Sequence, residues 1–277
     1  MAEPAPDRYA VMGHPIGHSR SPFIHRRFAE QTGQHLTYEA IDVAPEAFPQ
    51  AVADFRQAGG KGLNITVPLK EQAWHLAALR SARAERAGAV NTLLWQPDDR
   101  LYGDNTDGIG LVRDLVRNLG LRLHGRQVLL LGAGGAARGI LEPLLRAEPE
   151  RLVIVNRTRE RAERLADLFA DLGQVSACGY GDLGGQVFDG IIHATAAGLA
   201  GEVPPLPDDV VGPETWCYDL MYGSEPTAFV AWARAHGAHK AVDGLGMLVE
   251  QAAESFYLWR GVRPQTRPVI TELRGGS

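Results

Sequence analysis

The sequence is poor in cysteine and contains no long hydrophobic run. Its 277 residues include only two cysteines, Cys178 and Cys217, whose spacing fits neither a disulfide framework nor a metal site. Two isolated thiols are typical of a reducing compartment. No apolar stretch approaches the roughly 18 residues that cross a bilayer, and Met1 to Asp7 lack the apolar core of a signal peptide. These absences predict a cytoplasmic protein.

The chain also lacks a large excess of charge of either sign. Its 28 Lys and Arg residues and 33 Asp and Glu residues give a net charge of −5, so the composition indicates no general affinity for nucleic acid or membranes. A hydrophobic content of 45% is ordinary for a globular protein, and the length predicts about two domains. His14 and His18 have no third ligand at a suitable spacing, so no metal is expected.

A glycine-rich turn follows a short apolar run near the middle of the chain. Val128 to Leu131 are apolar without a break, as in a strand buried on both faces of a parallel sheet. Gly132, Gly134 and Ala137 then fit the pattern G-x-G-x-x-A, which permits a tight turn, close approach of a ligand and close helix packing. The N–H groups of the following helix suit a pyrophosphate. The alternative is a glycine-rich connection that binds no ligand.

Basic residues follow the next apolar run, Leu152 to Val155, about 20 residues past the first glycine, where a dinucleotide site holds the adenosine ribose. An NAD site would have Asp or Glu there. This chain has instead Asn156, Arg157, Thr158, Arg159 and then Arg161. Guanidinium groups form bidentate, charge-assisted bonds to phosphate, so the segment favours NADP over NAD. The alternative, an exposed helix start, would place cations against the helix dipole.

Two serines precede a predicted helix near the N-terminus. Pro22 suits the first helical position, with Ser21 as N-cap. A cap would explain Ser21 completely, but it would not explain Ser19. Two hydroxyls beside a helix N-terminus also form a suitable cradle for a carboxylate.

A lysine and an aspartate occupy the starts of two further predicted helices. Lys70 falls in the first turn of a helix opened by Pro68, an unfavourable place for a cation, which indicates a proton donor or acceptor. The alternative is a lysine whose ammonium extends into water. Asp107 precedes an amphipathic helix and either caps it or points into a binding site. Gly88 to Trp95 is predicted as one strand containing the polar Asn91.

These motifs occur in a fixed order along the chain. They are Gly13–Pro22, Asn64–Lys70, Gly88–Thr92 and Gly103–Gly108 before the glycine turn, then Tyr218–Tyr222 and Asp243–Ala253 after it. The ordered set resembles the shikimate dehydrogenases from Tyr9 to about Pro264. The resemblance implies reversible NADP-linked reduction of 3-dehydroshikimate to shikimate, a step towards chorismate and the aromatic amino acids.

The resemblance also implies roles for individual residues. Lys70 and Asp107 are the expected catalytic pair. The expected substrate ligands are Ser19 and Ser21 for the carboxylate with Tyr222 nearby, and Thr66, Asn91 and Gln251 for the ring hydroxyls. The expected cofactor ligands are Gly132, Ala133, Gly134, Gly135 and Ala136 at the pyrophosphate, Asn156, Arg157, Thr158 and Arg161 at the adenosine phosphate, and Leu220, Gly244 and Met247 near the nicotinamide.

The implied fold is α/β. An N-terminal α/β substrate domain, residues 1–108 and 243–277, would be joined to a doubly wound, Rossmann-type NADP domain, residues 109–242, with a cleft between them. The implied partner is a small-molecule substrate, and the protein is expected to be a monomer or homodimer. Two other functions stay open, namely a dehydrogenase that also uses quinate or NAD, and a non-catalytic NADPH sensor, since fold alone does not determine function.

The chain departs from the family pattern at His193, in the segment His193–Gly198, where Asn is expected. An imidazole can still form a hydrogen bond to the cofactor, but a buried histidine at a strand end is an equally good interpretation. Pro143 lies inside the helix after the glycine turn and should kink it.

Overall fold

The computed structural model describes residues 5–195 and 201–275. The chain forms two compact units, of which one comprises Met1–Gly110 and Val249–Gly276 and the other Leu111–Leu248. Both limits fall inside helices, Asp107–Arg113 and Leu245–Arg260. The sequence placed its domain limits at residues 108 and 243, so the second of them precedes the helix in which the chain passes between units.

The first unit contains a mixed six-stranded sheet. Its strands are β1 (Asp7–Gly13), β2 (Leu36–Asp42), β3 (Gly60–Ile65), β4 (Leu79–Arg80), β5 (Thr92–Trp95) and β6 (Leu101–Asp104). The spatial order is β2-β1-β3-β5-β6-β4, in which β5 runs antiparallel to β3 and β6 and the other pairs are parallel. Most residues of β1 and β3 are buried, as expected for inner strands covered on both faces.

The second unit contains a six-stranded, wholly parallel sheet. Its strands are β7 (Gln127–Leu131), β8 (Arg151–Val155), β9 (Val175–Cys178), β10 (Phe188–His193), β11 (Val211–Asp219) and β12 (Lys240–Val242). The spatial order is β12-β11-β10-β7-β8-β9, and every pair is parallel. The strand order reverses between β7 and β10, which is the topological switch point where doubly wound sheets bind ligands.

Ten α-helices connect or cover these strands in the described residues. They are α1 (Ser21–Thr32), α2 (Phe48–Gln57), α3 (Lys70–Leu76), α4 (Ala82–Ala87), α5 (Asp107–Arg113), α6 (Gly135–Leu145), α7 (Arg159–Phe169), α8 (Ala228–Ala235), α9 (Leu245–Arg260) and α10 (Thr266–Gly275). A π-helical turn, Asp114–Asn118, continues α5. None of the described helices is long and apolar enough to span a membrane. The predicted α/β fold, with a doubly wound second sheet, is confirmed.

Several local predictions for the first unit were wrong. Residues 88–91 are not part of β5, because Gly88 ends α4 in the left-handed conformation. Helix α3 begins at Lys70 and not at Pro68. Helix α1 begins at Ser21, with Arg20 in the cap position, so Ser21 is not an N-cap. The short β4, α4, β6 and the C-terminal α10 were not predicted, because their runs are too short or too polar to show a period.

Fewer of the secondary-structure predictions for the second unit were wrong. Strand β11 begins at Val211, and β9 was not predicted. Pro143 does lie inside α6, and the kink expected there stays a prediction. Residues 196–198 of the segment that begins at His193 lie outside the described residues.

Candidate active site

Lys70 and Asp107 lie in direct contact in the first unit. Lys70 is the first residue of α3, which follows β3, and Asp107 is the first residue of α5, which follows β6. Lys70 Nζ donates to Asp107 Oδ2 at 2.6 Å. The two side chains are 28% and 15% exposed, so the pair is partly shielded from water and still accessible to a small molecule.

Asn91 fixes the orientation of the Asp107 carboxylate. Its Oδ1 accepts from the main-chain N–H of Thr106 at 2.9 Å, which identifies that atom as oxygen because a backbone N–H only donates. Its Nδ2 therefore donates, to Asp107 Oδ1 at 2.8 Å and to Thr106 Oγ1 at 2.9 Å. Each carboxylate oxygen of Asp107 thus has its own donor, one from Lys70 and one from Asn91.

A buried ion pair anchors the turn that carries Asp107. Arg83 donates to both carboxylate oxygens of Asp104, at 2.7 and 2.6 Å, a bidentate geometry that fixes direction as well as charge. Asp104 is 2% exposed, and its Oδ1 also accepts from the N–H of Asn105. The backbone carbonyl of Asp104 accepts from the N–H of Asn91 at 3.0 Å. The same residue therefore holds both Asn91 and the turn leading to Asp107.

Gln251 joins the cluster from α9. Its Oε1 lies 3.2 Å from Asn91 Nδ2 and 3.4 Å from Thr106 Oγ1. One turn later, Ser255 Oγ donates to the carbonyl oxygen of Gln251 and lies 2.7 Å from Thr92 Oγ1. The first unit therefore brings together four of the predicted residues, namely Lys70, Asn91, Asp107 and Gln251.

The serine-bearing loop lies beside the segment that carries Thr66. A Cβ on Gly13 would lie 2.4 Å from Thr66 Cγ2, so the close approach requires glycine, and the N–H of His14 donates to the carbonyl of Val67. Ser19 Oγ accepts from the N–H of Ser21 at 3.3 Å. Ser21 is thus the donor in this bond, and α1 has no side-chain cap among the described residues.

Asp42, the last residue of β2, stabilises the serine-bearing loop through two hydrogen bonds. Asp42 accepts from His14 Nδ1 at 2.6 Å and from the N–H of Ile16 at 3.2 Å. The hydrogen bond from His14 lowers the pKa of the Asp42 carboxyl. His14 thus has a structural partner, which agrees with its interpretation as part of the loop.

The glycine turn of the second unit is open on one side. Gly132 has φ +108° and its Cβ would lie 2.9 Å from the carbonyl oxygen of Ala194, so glycine is required for both reasons. A Cβ on Gly134 or Gly135 would meet no atom within 4 Å. Helix α6 begins directly after Gly134 with no side-chain cap. Its first N–H groups are therefore available to an anion, as predicted for the pyrophosphate.

The arginines after β8 fall into two classes. Arg159 forms salt bridges with Glu163 at 2.8 Å and with Asp182 at 3.2 Å. Arg157 and Arg161 are exposed and form no salt bridge within the described residues. Asn156 Nδ2 donates to the carbonyl of Thr158 and shapes the turn into α7.

The residues predicted near the nicotinamide come together at the ends of β11 and β12. A Cβ on Gly244 would lie 2.3 Å from the carbonyl oxygen of Leu220, so only glycine permits this approach. The N–H of Met247 donates to Tyr218 Oη at 3.2 Å, and Tyr218 Oη donates to Asp114 Oδ2 at 2.7 Å. Tyr222 is half-buried and belongs to this second unit, whereas the other predicted substrate residues belong to the first.

Asp219 lies in the motif Tyr218–Tyr222, but no role was predicted for it from the sequence. Asp219 is fully buried and accepts from the N–H of Met221 at 3.0 Å and from Thr227 Oγ1 at 2.6 Å. Its third partner is His193, whose Nδ1 lies 3.1 Å from Oδ1. The one sequence feature that pointed to this contact was the histidine at position 193 where the family pattern has Asn. Its partner Asp219 lies 26 residues later and could not be inferred from spacing.

A doubly wound sheet with an open glycine turn at its switch point, in one chain with an orientated Lys–Asp pair, defines a dinucleotide-dependent oxidoreductase. The shikimate dehydrogenase (NADP(+)) of Alkalilimnicola ehrlichii is 64% identical to this chain over 268 residues, which cover 97% of this chain and 98% of that protein. The chain belongs to the shikimate dehydrogenase family.

Family matches and solved structures cover both units. Residues 11–93 match the shikimate dehydrogenase substrate binding domain, 114–199 match shikimate / quinate 5-dehydrogenase, and 244–274 match the shikimate 5'-dehydrogenase C-terminal domain. The crystal structure of an Ael1 enzyme from Pseudomonas putida is 50% identical, with a TM-score of 0.92 over 96% of this chain and 98% of that one. Shikimate 5-dehydrogenase from Thermus thermophilus, in complex with NADP(H) and shikimate, is 36% identical, with a TM-score of 0.86 over 98% and 100%.

Proposed function

We propose that this chain catalyses the reversible NADP-linked reduction of 3-dehydroshikimate to shikimate, with Lys70 and Asp107 as its catalytic pair. The observation that carries the proposal is the 2.6 Å contact between Lys70 Nζ and Asp107 Oδ2. A binding module needs no proton-transfer pair, so this contact favours an enzyme over an NADPH sensor. The names of the relatives, shikimate dehydrogenase (NADP(+)), supply the substrate and the cofactor.

The chemistry requires one hydride and one proton. Bound NADPH supplies the hydride that reduces the C3 carbonyl of the substrate. Lys70 donates the proton to the carbonyl oxygen as negative charge develops there, and in the reverse direction its amine accepts the proton. An ammonium has three N–H donors, of which Asp107 holds one, so the carboxylate directs the remaining donors of Lys70.

Asn91 acts on the catalytic pair from the opposite side. Because its Nδ2 donates to Asp107 Oδ1, it prevents rotation of the carboxylate away from Lys70. Its side chain is 2% exposed, which supports a positioning role beside the contact with a ring hydroxyl that the resemblance implies. Gln251 and Thr66 are proposed as the other hydroxyl ligands.

The carboxylate of the substrate is assigned to the serine-bearing loop. Ser21 donates its backbone N–H to Ser19 Oγ at the start of α1, where N–H groups and the helix dipole favour an anion. Asp42 fixes the backbone of this loop through Ile16. Tyr222, placed near the same carboxylate by the resemblance, stays a prediction.

The second unit fits NADP by its own geometry. The open space at Gly134 and Gly135 and the uncapped start of α6 suit a pyrophosphate. Arg157 and Arg161, which form no salt bridge in the described chain, suit the adenosine phosphate together with Asn156 and Thr158. Leu220, Gly244 and Met247 are proposed for the nicotinamide side. In this assignment the cofactor binds mainly to the domain proposed at 109–242, with Gly244 and Met247 contributed by segment 243–277, which otherwise forms the substrate domain together with 1–108.

The test is reduction of NADP with shikimate, with quinate and with no substrate. We expect turnover with shikimate. Lys70→Ala should lower kcat by about 10² to 10⁴ with a smaller effect on KM, because general acid–base catalysis acts on the transition state. Lys61→Ala is the matched control, since Lys61 is exposed on β3 and outside the cluster, and its kcat should not change.

Three results would contradict the assignment. A Lys70→Ala variant that keeps more than about a third of the turnover would show that the lysine is not the proton donor. Turnover with quinate but not with shikimate would favour the broader or quinate-directed alternative, and NADP binding without turnover on either would favour a sensor.

We further propose a cytoplasmic monomer or homodimer with no nucleic-acid or membrane partner. The net charge of −5 and the free thiols of Cys178 and Cys217 support this proposal. Light scattering after gel filtration measures the oligomeric state, and a particle larger than two chains would contradict it.

A further inference from the structure

Tyr218 is a buried tyrosine of β11 whose hydroxyl contacts the first turn of α9. None of its surface is exposed, and its Oη accepts from the main-chain N–H of Met247 at 3.2 Å. Because a backbone N–H only donates, the tyrosine oxygen must be the acceptor in this bond. The same hydroxyl donates to Asp114 Oδ2 at 2.7 Å, and Asp114 is 3% exposed. Two buried polar groups that the proposed proton transfer does not use thus meet at one end of α9.

Helix α9 begins after a glycine that cannot supply a side-chain cap. Gly244 immediately precedes the helix, and its carbonyl accepts the N–H of Leu248 at 3.0 Å. At this position a side-chain oxygen ordinarily accepts from the second or third helical N–H, and the third belongs to Met247. No side chain fits there, since a Cβ on Gly244 would lie 2.3 Å from the carbonyl oxygen of Leu220. The hydroxyl of Tyr218 therefore supplies from β11 the cap that position 244 cannot.

Asp114 holds that hydroxyl and also lies against the backbone of the helix. It is the first residue of the π-helical turn Asp114–Asn118, a rare geometry that often occurs at functional sites. A Cβ built on Gly246 would lie 2.1 Å from Asp114 Oδ1, so only glycine permits this approach. Asn118 Nδ2 donates to the same oxygen at 2.9 Å. The first turn of α9 is therefore supported from two elements, β11 and the π-helical turn.

The turn supported in this way carries residues proposed for the nicotinamide end of NADP. Leu220 directly follows β11, and Gly244 and Met247 lie at the start of α9. In the sheet, β10 and β11 lie on one side of β7, whereas β8, whose end carries Arg157, lies on the other. A dinucleotide with its adenosine phosphate at Arg157 and its pyrophosphate at the glycine turn directs its other end towards β10 and β11.

We propose that Tyr218, with its hydroxyl oriented by Asp114, is a positioning residue that orders the first turn of α9 for the nicotinamide end of NADP. The inference rests on the proposed function, because it requires that the chain bind NADP. Without the hydroxyl, water satisfies the N–H of Met247 and the turn opens, so NADP has to close it again on binding. The affinity for NADP then decreases in proportion to the fraction of molecules in which the turn is closed.

The test compares two ligands of the full-length protein by calorimetry, namely NADP and adenosine 2′,5′-bisphosphate, which lacks the nicotinamide and its ribose. Tyr218→Phe keeps the ring in the core and removes only the hydroxyl. It should weaken NADP binding about threefold to tenfold, the effect of one neutral hydrogen bond, and leave adenosine bisphosphate binding unchanged. The KM for NADP should rise by a similar factor while the KM for shikimate stays the same.

Hydrogen exchange measures the turn itself. In the free Tyr218→Phe protein, a peptide that spans residues 243–249 should exchange its amide hydrogens at least about threefold faster than in the wild type. In the wild type, NADP should slow exchange in this peptide more than adenosine bisphosphate does, a comparison that does not depend on the folding of any variant. Equal protection by the two ligands would overturn the proposal.

A double-mutant cycle tests whether Asp114 acts through the hydroxyl. In Asp114→Asn the amide oxygen can still accept from Tyr218, so NADP affinity should decrease less than in Tyr218→Phe. Adding Asp114→Asn to Tyr218→Phe should produce no further loss, because the hydroxyl that Asp114 orients is already absent. Independent, multiplying losses would overturn the orienting role of Asp114.

Tyr9→Phe is the matched control, since it removes another buried tyrosine hydroxyl. Tyr9 is 3% exposed, and its Oη accepts from Arg260 Nη1 at 3.3 Å in the first unit. Its loss should change the affinity for neither ligand. If Tyr218→Phe weakened both ligands equally, or if Tyr9→Phe weakened NADP binding as much, the positioning role would be refuted. If the wild type bound neither ligand, the proposed function itself would fail.

Discussion

The arginines at the start of α7 offer a sharp test of cofactor choice, because two neighbours differ in their existing partners. Arg157→Ala removes an exposed guanidinium that forms no salt bridge in the described residues, whereas Arg159→Ala removes one that already pairs with Glu163 and Asp182. Only the first should be available to a 2′-phosphate. The two substitutions delete the same side chain two positions apart, so each controls for the other.

The size of the expected effect follows from the type of bond. A hydrogen bond to a charged group contributes about 1.5–3 kcal/mol, so Arg157→Ala should weaken NADP binding roughly tenfold to 140-fold. NAD has no 2′-phosphate, and its affinity should hardly change. Arg159→Ala should alter NADP affinity by less than about twofold. The exposed salt bridges that it removes contribute at most about 1 kcal/mol, and they contribute it to the stability of the fold and not to cofactor binding.

The assay is a titration of each variant with NADP and with NAD at two salt concentrations. The Arg157 contribution should decrease at high salt, because exposed charges are screened. Equal losses for NADP and NAD in Arg157→Ala would show that this residue does not bind the phosphate. Equal losses of NADP affinity in the two alanine variants would show that the ion pairs of Arg159 do not prevent it from binding the 2′-phosphate.

Three further predictions concern single residues. Asn91→Asp replaces the donor to Asp107 Oδ1 by an acceptor and should lower kcat about tenfold or more, measured with saturating shikimate and NADP, whereas an unchanged kcat would remove Asn91 from the site. Burial lowers the pKa of His25 to about 3 from its usual 6.5, so the unfolded chain binds the proton first. The contribution of His25 to the free energy of unfolding should therefore be constant above pH 6.5. It should decrease as the pH falls towards 3, by up to about 1.4 kcal/mol per pH unit. His25→Phe should remove this contribution to the pH dependence measured in urea titrations. Burial raises the pKa of the Cys217 thiol to about 12, so a thiol reagent should modify only the half-buried Cys178 until denaturant is added, and rapid labelling of both would contradict the buried position.

Local sequence patterns sufficed where burial or backbone conformation acts on neighbouring residues. Val128 to Leu131 and Leu152 to Val155 are apolar throughout because both faces of β7 and β8 are covered, and the structure extends each predicted strand by one residue. Gly132 was recognised as the tight turn, and its φ of +108° shows why a glycine stands there. The predictions failed where a segment was too short to show a period, as at β4, or where a helix began one residue earlier than expected, as at Ser21, which is the first residue of α1 and not its N-cap.

The order of motifs along the chain determined the family and named Lys70 and Asp107, and the sequence placed each of them at a helix start. Only the tertiary structure decided that their side chains meet, that Asn91 holds the second oxygen of Asp107, and that Arg159 is already paired while Arg157 is not. It also decided that His193 connects Asp219 to Thr195. The physical reason is that a hydrogen bond depends on distances of about 3 Å and on the direction of the donor, and between residues far apart in the chain these are set by how the strands pair and not by any local pattern.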